Sequence, residues 1–451
     1  MSAEAELKRA AERALSFASG DGREAEVVLI SDDAQLTRFA NNEIHQNVAE
    51  RNVEVFVRVA MGRRVGTASG NGVDDDSLRR LVEQATAVAK LQRENPDFAG
   101  FPGPYLVAAG PIGYSEDTSA ATPEERADKV GVICKRALRA GFVAAGACAT
   151  SVTETSVANS KGTWGFRRRT HARLLTVVSG ESSSGYGLRQ GVRFGALDAE
   201  AVAEEATSKA ERGRDPGEID PGEYDVVLEP YATEDIVRFM SYLGLTGRAV
   251  VEKTSFATGK LGERLLGEQV TLRDDPLSPE GLPLPFDYEG VPKQPLTLVE
   301  NGVVQAVTYD SLTASKAGTQ TTGHAMLGPY AGYYGPMATN LVLEPGTSSR
   351  EELVRGIDRG LWISRFWYTR VVHPLSVTVT GMTRDSIFLI EKGEITRPVK
   401  SLRFTQSYLS ALNQLAGVGN RAHLSGDALG APIRAPHLAI RGFTFTGKSE
   451  Y

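Results

Sequence analysis

Hydrophobic and polar positions show two periodicities in the first part of the chain, one typical of helices and one typical of extended strands. In residues 2–18 apolar side chains recur every three or four positions, which predicts an amphipathic helix, and residues 76–91 repeat this spacing. Alternation between apolar and polar positions, the pattern of half-buried strands, occurs in residues 26–30, 36–40, 43–48 and 53–59. This order predicts an antiparallel sheet covered by helices.

A weak internal repeat follows. Residues 155–159 (TSVAN) resemble residues 37–41 (TRFAN), and each stretch leads through a turn and a strand to a Gly/Ser-rich segment and then a helix. The N-terminal half therefore suggests a duplicated unit, although hairpin chemistry alone would also produce such a match. The basic run at residues 167–169 falls in the second copy, where charges are typical of a solvated or edge position.

Two Asp-Pro-Gly breaks in residues 214–222 mark the strongest boundary in the sequence. Because 451 residues exceed what one hydrophobic core usually serves, we expect two domains, residues 1–213 and 222–451, joined by the linker 214–221. The second domain is predicted to begin with a short strand and a helix at residues 233–243, and the rest of it consists mostly of short β runs. The whole chain is predicted to be an α+β protein with a β-rich C-terminal domain.

Several local features complete this prediction. Asn301-Gly302 joins two alternating runs and predicts a tight hairpin turn. Residues 318–326 are expected to form a polar loop, and residues 92–121, rich in Pro and Gly, a long irregular connection. Further helices are predicted at residues 350–359 and 407–416.

Composition narrows the classes of function. A net charge of −6, with 24% charged residues spread along the chain, provides neither a basic footprint for nucleic acid nor a polybasic membrane anchor. Cys134 and Cys148 are the two cysteines and are expected to be free thiols of a reducing compartment. An acidic N-terminus and the lack of a long apolar window lead us to expect a soluble, cytoplasmic protein.

The residues alone reveal no catalytic centre and no metal site. The six histidines are isolated, with no pair at i, i+4, and there is no CxxC to replace them. A GxSxG elbow and a phosphate-binding P-loop are also missing.

Several short motifs nevertheless occur in a specific order. They are DYEGVP at residues 287–292, ENG at 300–302, TGHA at 322–325, IEKGEI at 390–395 and, near the N-terminus, FANNEI at 39–44. Together they resemble the TldD/PmbA family, and within it the PmbA (TldE) branch, over nearly the whole chain. Departures occur at the aromatic cluster 366–368 and at residues 381–385.

The resemblance implies a function because this chain lacks the metal-binding residues of the TldD branch. In the TldD branch the helix after the domain boundary carries HExxxH, and a cysteine near the C-terminus adds a third metal ligand. Here residues 232–242 (ATEDIVRFMSY) contain no histidine, and residues 424–431 no cysteine. The resemblance therefore implies a non-metal subunit with no cofactor of its own, paired with a TldD-type metallopeptidase subunit that holds zinc and cleaves unfolded peptides.

Other interpretations stay open. The chain could be a divergent enzyme in its own right that acts on a peptide or a peptide-derived natural product, whereas direct DNA contact is disfavoured by the acidic net charge. Glu234 and Asp235 lie on the helix in question, and we interpret them as a charge pair favoured by the helix dipole. Substrate, partner identity and self-association as a homodimer are left undetermined by the sequence.

Peptide contacts are the remaining candidate chemistry. Residues 321–334 combine glycines with His324, Tyr330, Tyr333 and Tyr334, and we predict that this loop lies near a cavity wall or a subunit interface. A lone histidine in a loop is more often a surface or hydrogen-bonded residue than a ligand.

Overall fold

The computed structural model of the chain describes residues 2–108, 113–426 and 431–449. The helices of these ranges are α1 Ala3–Ala18, α2 Asp75–Leu91, α3 Glu116–Ser119, α4 Pro123–Arg139, α5 Ala199–Arg212, α6 Pro230–Gly244, α7 Gly247–Val251, α8 Ser311–Ala317, α9 Gly328–Tyr334, α10 Arg350–Arg355 and α11 Tyr408–Asn413. Short 3₁₀ turns lie at Phe194–Ala196 and Pro374–Ser376.

The strands form two sheets, one on each side of the predicted linker. The first contains β1 Glu24–Ala40, β2 Glu43–Met61, β3 Arg64–Gly70, β4 Leu106–Ala108, β5 Val143–Asn159, β6 Trp164–Ser179 and β7 Ser184–Gly191. The second contains β8 Gly222–Leu228, β9 Leu272–Asp274, β10 Leu296–Glu300, β11 Val303–Val304, β12 Leu341–Leu343, β13 Arg359–His373, β14 Thr378–Glu391, β15 Glu394–Val399, β16 Leu402–Ser407, β17 Leu415–Ser425 and β18 Ile433–Lys448.

The first sheet confirms the predicted antiparallel architecture with covering helices. Its central order is β3-β2-β1-β5-β6, with β7 and the parallel strand β4 on β6. Buried residues of α1 and α2 pack on β1 and β2, and those of α4 and α5 pack on β5 and β6. Helix, hairpin, third strand and helix thus occur twice in the same order, an arrangement that fits the suggested duplication.

Strands β1 and β2 are longer than the sequence pattern indicates. We expected interruptions at residues 31–35 and 49–52, but both strands continue through them. Strand β1 pairs with β2 on one side and with β5 on the other over nearly its full length. Because both edges of β1 are hydrogen-bonded, polar residues such as Asp32 and Asp33 remain in the strand.

The second sheet closes on itself around α6. Strands β8, β13, β14, β16 and β18 pair in a closed circuit, since β18 bonds β8 as well as β16. Leu228 and Ile363 belong to the large core that contains α6, whereas their neighbours Val227 and Trp362 pack with α10 in a separate cluster. The circuit therefore has an inner side facing α6 and an outer side facing α10.

Several local predictions need correction. The loop at residues 321–334 contains α9, and residues 92–121 include β4 and α3. The helix predicted at residues 350–359 ends at Arg355, because the chain joins the sheet as β13 from Arg359 onward. The helix predicted at residues 407–416 is shorter, from Tyr408 to Asn413, before β17 begins.

Arg167 is a further correction. It was expected to be solvated, but it is buried, donates to the carbonyl of Phe286, and lies 4.8 Å from the Phe286 ring. The predicted turn at Asn301-Gly302 is confirmed, with φ values of 48° and 81°. Both cysteines are buried and free, and burial raises the pKa of the Cys148 thiol to about 12. Among the described helices, none is both long and apolar enough to cross a membrane.

Candidate functional site

Helix α6 is the element that corresponds to the metal-binding helix of the resemblance. Glu229 precedes it as the N-cap, and Pro230 occupies the first helical position, where its missing N–H costs nothing. Most of its residues are buried, because it packs against β13 and β18 of the closed circuit. Glu234 and Asp235, in its second turn, are buried with the rest of the helix.

Both carboxylates are engaged in a compact ionic cluster. Arg238, one turn further on, approaches Glu234 with an Nε–Oε1 distance of 3.0 Å and also donates to Asp235. The hydroxyl of Tyr408 donates to Oδ2 of Asp235 at 2.7 Å. Despite burial, the two acidic neighbours raise the pKa of Arg238, while burial and then Asp235 raise that of Tyr408 well above its usual value. These contacts, more than the helix dipole, hold the acidic pair in place.

This donor set does not fit a zinc ion. The Arg238 guanidinium already contacts both carboxylates, so a divalent cation there would meet a fixed positive charge. Zinc sites in proteins draw mainly on His and Cys, neither of which α6 supplies. Over residues 2–108, 113–426 and 431–449, no group of three or more His, Cys, Asp or Glu side chains could hold a metal ion. Part of the segment 424–431, where the resemblance looks for a cysteine ligand, lies outside these ranges.

A cavity of about 400 Å³, here called the α6 cavity, lies over this cluster. Its lining comprises Tyr186, Tyr231, Glu234, Asp235, Arg238, Arg365, Phe366, Trp367, Tyr368, Thr369, Arg370 and Gly426. Aromatic faces and arginine side chains thus surround a floor of paired charges. Such a mixture offers stacking and hydrogen bonding to a peptide chain.

The wall formed by β13 contains an unusual backbone conformation. Tyr368 has a φ of 56°, which a bulky residue rarely adopts, and it sits where the pairing of β13 with β14 shifts register. Trp367 and Tyr368 remain 43% and 62% exposed, and the Arg370 guanidinium lies 4.2 Å from the Tyr368 ring. Backbone strain of this kind is often found at ligand-binding sites.

The structure places the four predicted peptide contacts in two different environments, with His324 buried and the three tyrosines accessible. His324 is wholly buried, with Nε2 2.9 Å from Oδ2 of Asp274 and Nδ1 2.9 Å from Oγ1 of Thr322. Lys293 also approaches Asp274, at 3.4 Å. Burial, together with the positive charge of Lys293, lowers the pKa of His324. A peptide cannot reach this side chain, so its role as a peptide contact is corrected to a structural one.

The three tyrosines lie on α9 and remain accessible. Tyr330 and Tyr333 are exposed, and Tyr334 packs against Tyr242 of α6 with ring centroids 5.3 Å apart. Tyr333 and Tyr334 line a small cavity of about 300 Å³ together with Tyr242, Val371 and Pro374. They therefore flank the same helix as the α6 cavity, and their contact with peptide stays a prediction.

Sequence reasoning missed Arg238 and Tyr408. Arg238 follows Glu234 and Asp235 at helical spacings of four and three, a signal that was visible in the sequence. Tyr408 is 173 residues from Asp235, and no local pattern connects the two.

The fold and this site define a two-sheet α+β protein with an ion-paired helix at its cavity. Three family domains match the chain: PmbA/TldA metallopeptidase domain 1 over residues 25–89, the central domain over 116–214 and the C-terminal domain over 221–447. The chain therefore belongs to the PmbA/TldD metallopeptidase family.

Individual relatives agree with this assignment. The chain is 27% identical to the metalloprotease PmbA homolog of Haemophilus influenzae, with 95% of this chain and 94% of that protein covered. It is 27% identical to the metalloprotease TldD homolog of the same organism, but it matches only 44% of that protein's length and 45% of its own. The crystal structure of TldE from Thermococcus kodakarensis superposes with a TM-score of 0.88 over 98% of this chain and all of that one, at 22% identity, and shows the same fold.

Proposed function

We propose that this chain is the non-metal subunit of a TldD/TldE-type metallopeptidase that acts on unfolded peptides. In this proposal the chain contributes shape and peptide contacts to a shared cavity, and the partner subunit contributes zinc and the water-activating carboxylate. The observation that carries the proposal is the ionic cluster of α6, where Arg238 holds both carboxylates on a helix that has no histidine.

Supporting contacts come from the walls of the α6 cavity. Trp367 and Tyr368 are exposed there, and both carboxylates of the charged floor beneath them are already paired with Arg238. A cavity of this kind binds a chain through stacking and hydrogen bonds without needing to activate water.

The test compares the chain alone, a TldD-type partner alone and their mixture. We expect no stoichiometric zinc in the lone chain by mass spectrometry, and no cleavage of an unfolded peptide by it. The mixture should form a stable complex and cleave the peptide faster than the partner alone, and a chelator should abolish that cleavage.

Two results would overturn the proposal. One equivalent of zinc with chelator-sensitive cleavage by the lone chain would favour the alternative, a hydrolase acting by itself. A mixture that shows no complex and no gain over the partner alone would remove the subunit role.

A further inference from the structure

A second cavity, of about 470 Å³, lies on the outer side of the closed circuit, and we call it the outer cavity. Its lining comprises Arg189, Glu205, Lys209, Glu229, Pro230, Tyr231, Ser349, Arg350, Glu351, Trp362, Gly419, Asn420, Arg421, His423 and His437. Among the residues that the structure describes, Tyr231 alone lines both this cavity and the α6 cavity. Its volume is that of a small-molecule site, and the function proposed above makes no use of it.

The carboxylates of the inner wall are already neutralised. Lys209 bridges Glu205 at 2.9 Å and Glu229 at 2.5 Å, and Arg189 donates to Glu205 at 2.8 Å. The indole N–H of Trp362 donates to Glu229 at 2.8 Å. These acids therefore present little free negative charge to an occupant.

Positive charge remains at the mouth. Arg421 is exposed on β17, at a point where its pairing with β18 shifts register, beside the amide of Asn420. Arg350 lies 5.3 Å from the Trp362 ring, which orients its guanidinium, and its neighbour Glu351 is a surface ion-pair partner at 3.3 Å. Because exposed ion pairs are weak and easily exchanged, Arg350 can turn to another anion at little cost.

The two imidazoles of the cavity indicate a positive local field. His423 and His437 lie with ring centroids 6.4 Å apart. Burial, and then the positive charges of Arg189, Arg421 and Lys209, lower the pKa of His423. Burial, and then His423, Arg350 and Lys209, lower the pKa of His437 to about 3. Glu205 opposes this effect at both rings. In a protein of net charge −6, such a field is a local feature that attracts anions.

We propose that the outer cavity is a binding site for a small anion that joins a carboxylate or phosphate group to an apolar body. Arg350 and Arg421 pair with the anionic group, since a guanidinium fork matches the oxygens of both anions. The indole of Trp362 and the ring of Pro230 pack against the apolar part. An anion beside the two imidazoles favours their protonated forms. Because a pKa of about 3 keeps His437 neutral near neutral pH, the proton taken up on binding goes to His423.

The proposal is tested on the full chain with three probes: N-acetylleucine, its uncharged amide, and inorganic phosphate. We expect calorimetry to show N-acetylleucine binding at least about tenfold more tightly than the amide, a difference of ~1.4 kcal/mol. Affinity should rise as pH falls from about 6.5 to about 5, because the pKa of His423 in the free protein lies below its usual 6.5, and two buffers of different ionisation enthalpy reveal the proton uptake. Phosphate binding more tightly than N-acetylleucine would assign the anionic group as phosphate.

Variants locate the site. Arg350→Gln and Arg421→Gln should each weaken the binding of N-acetylleucine about tenfold or more, whereas Arg93→Gln, a change at an exposed residue outside the lining, should not. Bound ligand should also shift the imidazole resonances of His423 and His437 and leave those of the exposed His45 in place. Equal affinity for acid and amide, unchanged binding in both arginine variants, or no binding of any probe at millimolar concentration would overturn the proposal.

Discussion

Individual side chains of this protein owe their roles to partners that are distant in sequence. His324 was a candidate peptide contact, with a surface or hydrogen-bonded residue as the alternative, and the structure shows it hydrogen-bonded and buried against Asp274, which lies 50 positions earlier in the chain. Arg167 was expected to be solvated, yet its partner Phe286 lies 119 positions later. Local patterns report which residues alternate or repeat, but they carry no information on such long-range pairs, so the burial of both side chains could not be predicted for the same physical reason.

The Asp274 cluster yields a prediction about stability. Oδ1 of Asp274 accepts from the backbone of Thr339 and Asn340, and Oδ2 faces His324 and Lys293. Despite burial, which acts in the opposite direction, the charge of Lys293 and then the hydrogen bond to His324 hold the pKa of Asp274 well below its usual value. Asp274→Ala leaves a buried lysine without its carboxylate, and we expect a loss of roughly 3–5 kcal/mol in the free energy of unfolding.

Urea denaturation of Asp274→Ala measures this loss, with Asp275→Ala as the matched control. The neighbouring Asp275 is partly exposed and pairs with Arg434 at 3.4 Å, so its removal should cost less than about 1 kcal/mol. Equal losses for the two variants would contradict a structural role for the buried cluster.

At the scale of elements, the sequence predicted which helices and turns exist better than it predicted where strands and helices begin and end. Helices α1, α2 and α6 follow clear periodicities, and the Asn301-Gly302 turn follows from its residue types. The apolar and polar pattern did not predict that β1 and β2 are continuous, because their continuity depends on hydrogen bonds to neighbouring strands. The α6 cavity was missed likewise, since its walls come from β13, β7 and α6.

Substitutions at the Asn301-Gly302 turn and at Gly259 distinguish backbone strain from steric clash. A β-carbon on Gly302 would stand 2.1 Å from the carbonyl oxygen of Leu266, at a φ of 81°. Gly259 has a similar φ of 71°, but no atom of the described residues lies within 4 Å of an added β-carbon. We expect backbone strain in Gly259→Val to lower the free energy of unfolding by ~1–3 kcal/mol. Gly302→Val should lower it distinctly more, because the steric clash adds to the strain. Melting temperatures of the two variants check this, and a Gly302→Val protein as stable as Gly259→Val would show that the turn relaxes freely.

The strained Tyr368 leads to the opposite expectation. Tyr368→Gly removes a side chain from a left-handed conformation that glycine adopts freely, so stability should stay unchanged or rise by up to about 1 kcal/mol. If Tyr368 contacts peptide, the same change should weaken peptide binding to the subunit complex severalfold. Arg359→Gly, at an exposed position of β13 that pairs in register with Glu391, should instead lower stability and leave binding intact. Lower stability with unaltered binding in Tyr368→Gly would argue against a strained peptide contact.

At the scale of the whole molecule, an acidic seam connects the two sheets. Arg58 of β2 bonds Glu26 of β1 at 2.8 Å and Glu289 of the second sheet's domain at 3.2 Å. Glu289 in turn accepts from the backbone of Ser311 at the start of α8. The division of the chain at the linker 214–221 stays a prediction from its Pro and Gly residues. The seam could not be predicted, because Arg58 and Glu289 are 231 positions apart in the sequence.

The seam predicts how stability depends on pH. Burial, and then the charge of Glu289, raise the pKa of Glu26 from 4.5 to about 7, against the opposing effect of Arg58; burial and Glu289 likewise raise that of Asp287 to about 7. A carboxyl group with a raised pKa binds its proton more tightly in the folded state than in the unfolded state. The stability that it contributes is therefore complete below about pH 4.5 and is lost as pH rises to about 7.

Glu26→Gln should reduce this pH dependence, since an amide does not titrate. At about 1.4 kcal/mol per pKa unit, we expect the fall in stability between pH 4.5 and 7 to shrink by at most about 2–3 kcal/mol, because Arg58 is partly exposed and Asp287 still titrates. Urea denaturation across this range measures the change, with Glu54→Gln as the control on an exposed position of β2. Since Glu289 belongs to the other sheet's domain, Glu289→Gln should give a similar flattening if the carboxylates act as one unit. A Glu26→Gln profile parallel to that of the unaltered chain would show that the seam does not retain its proton near neutral pH.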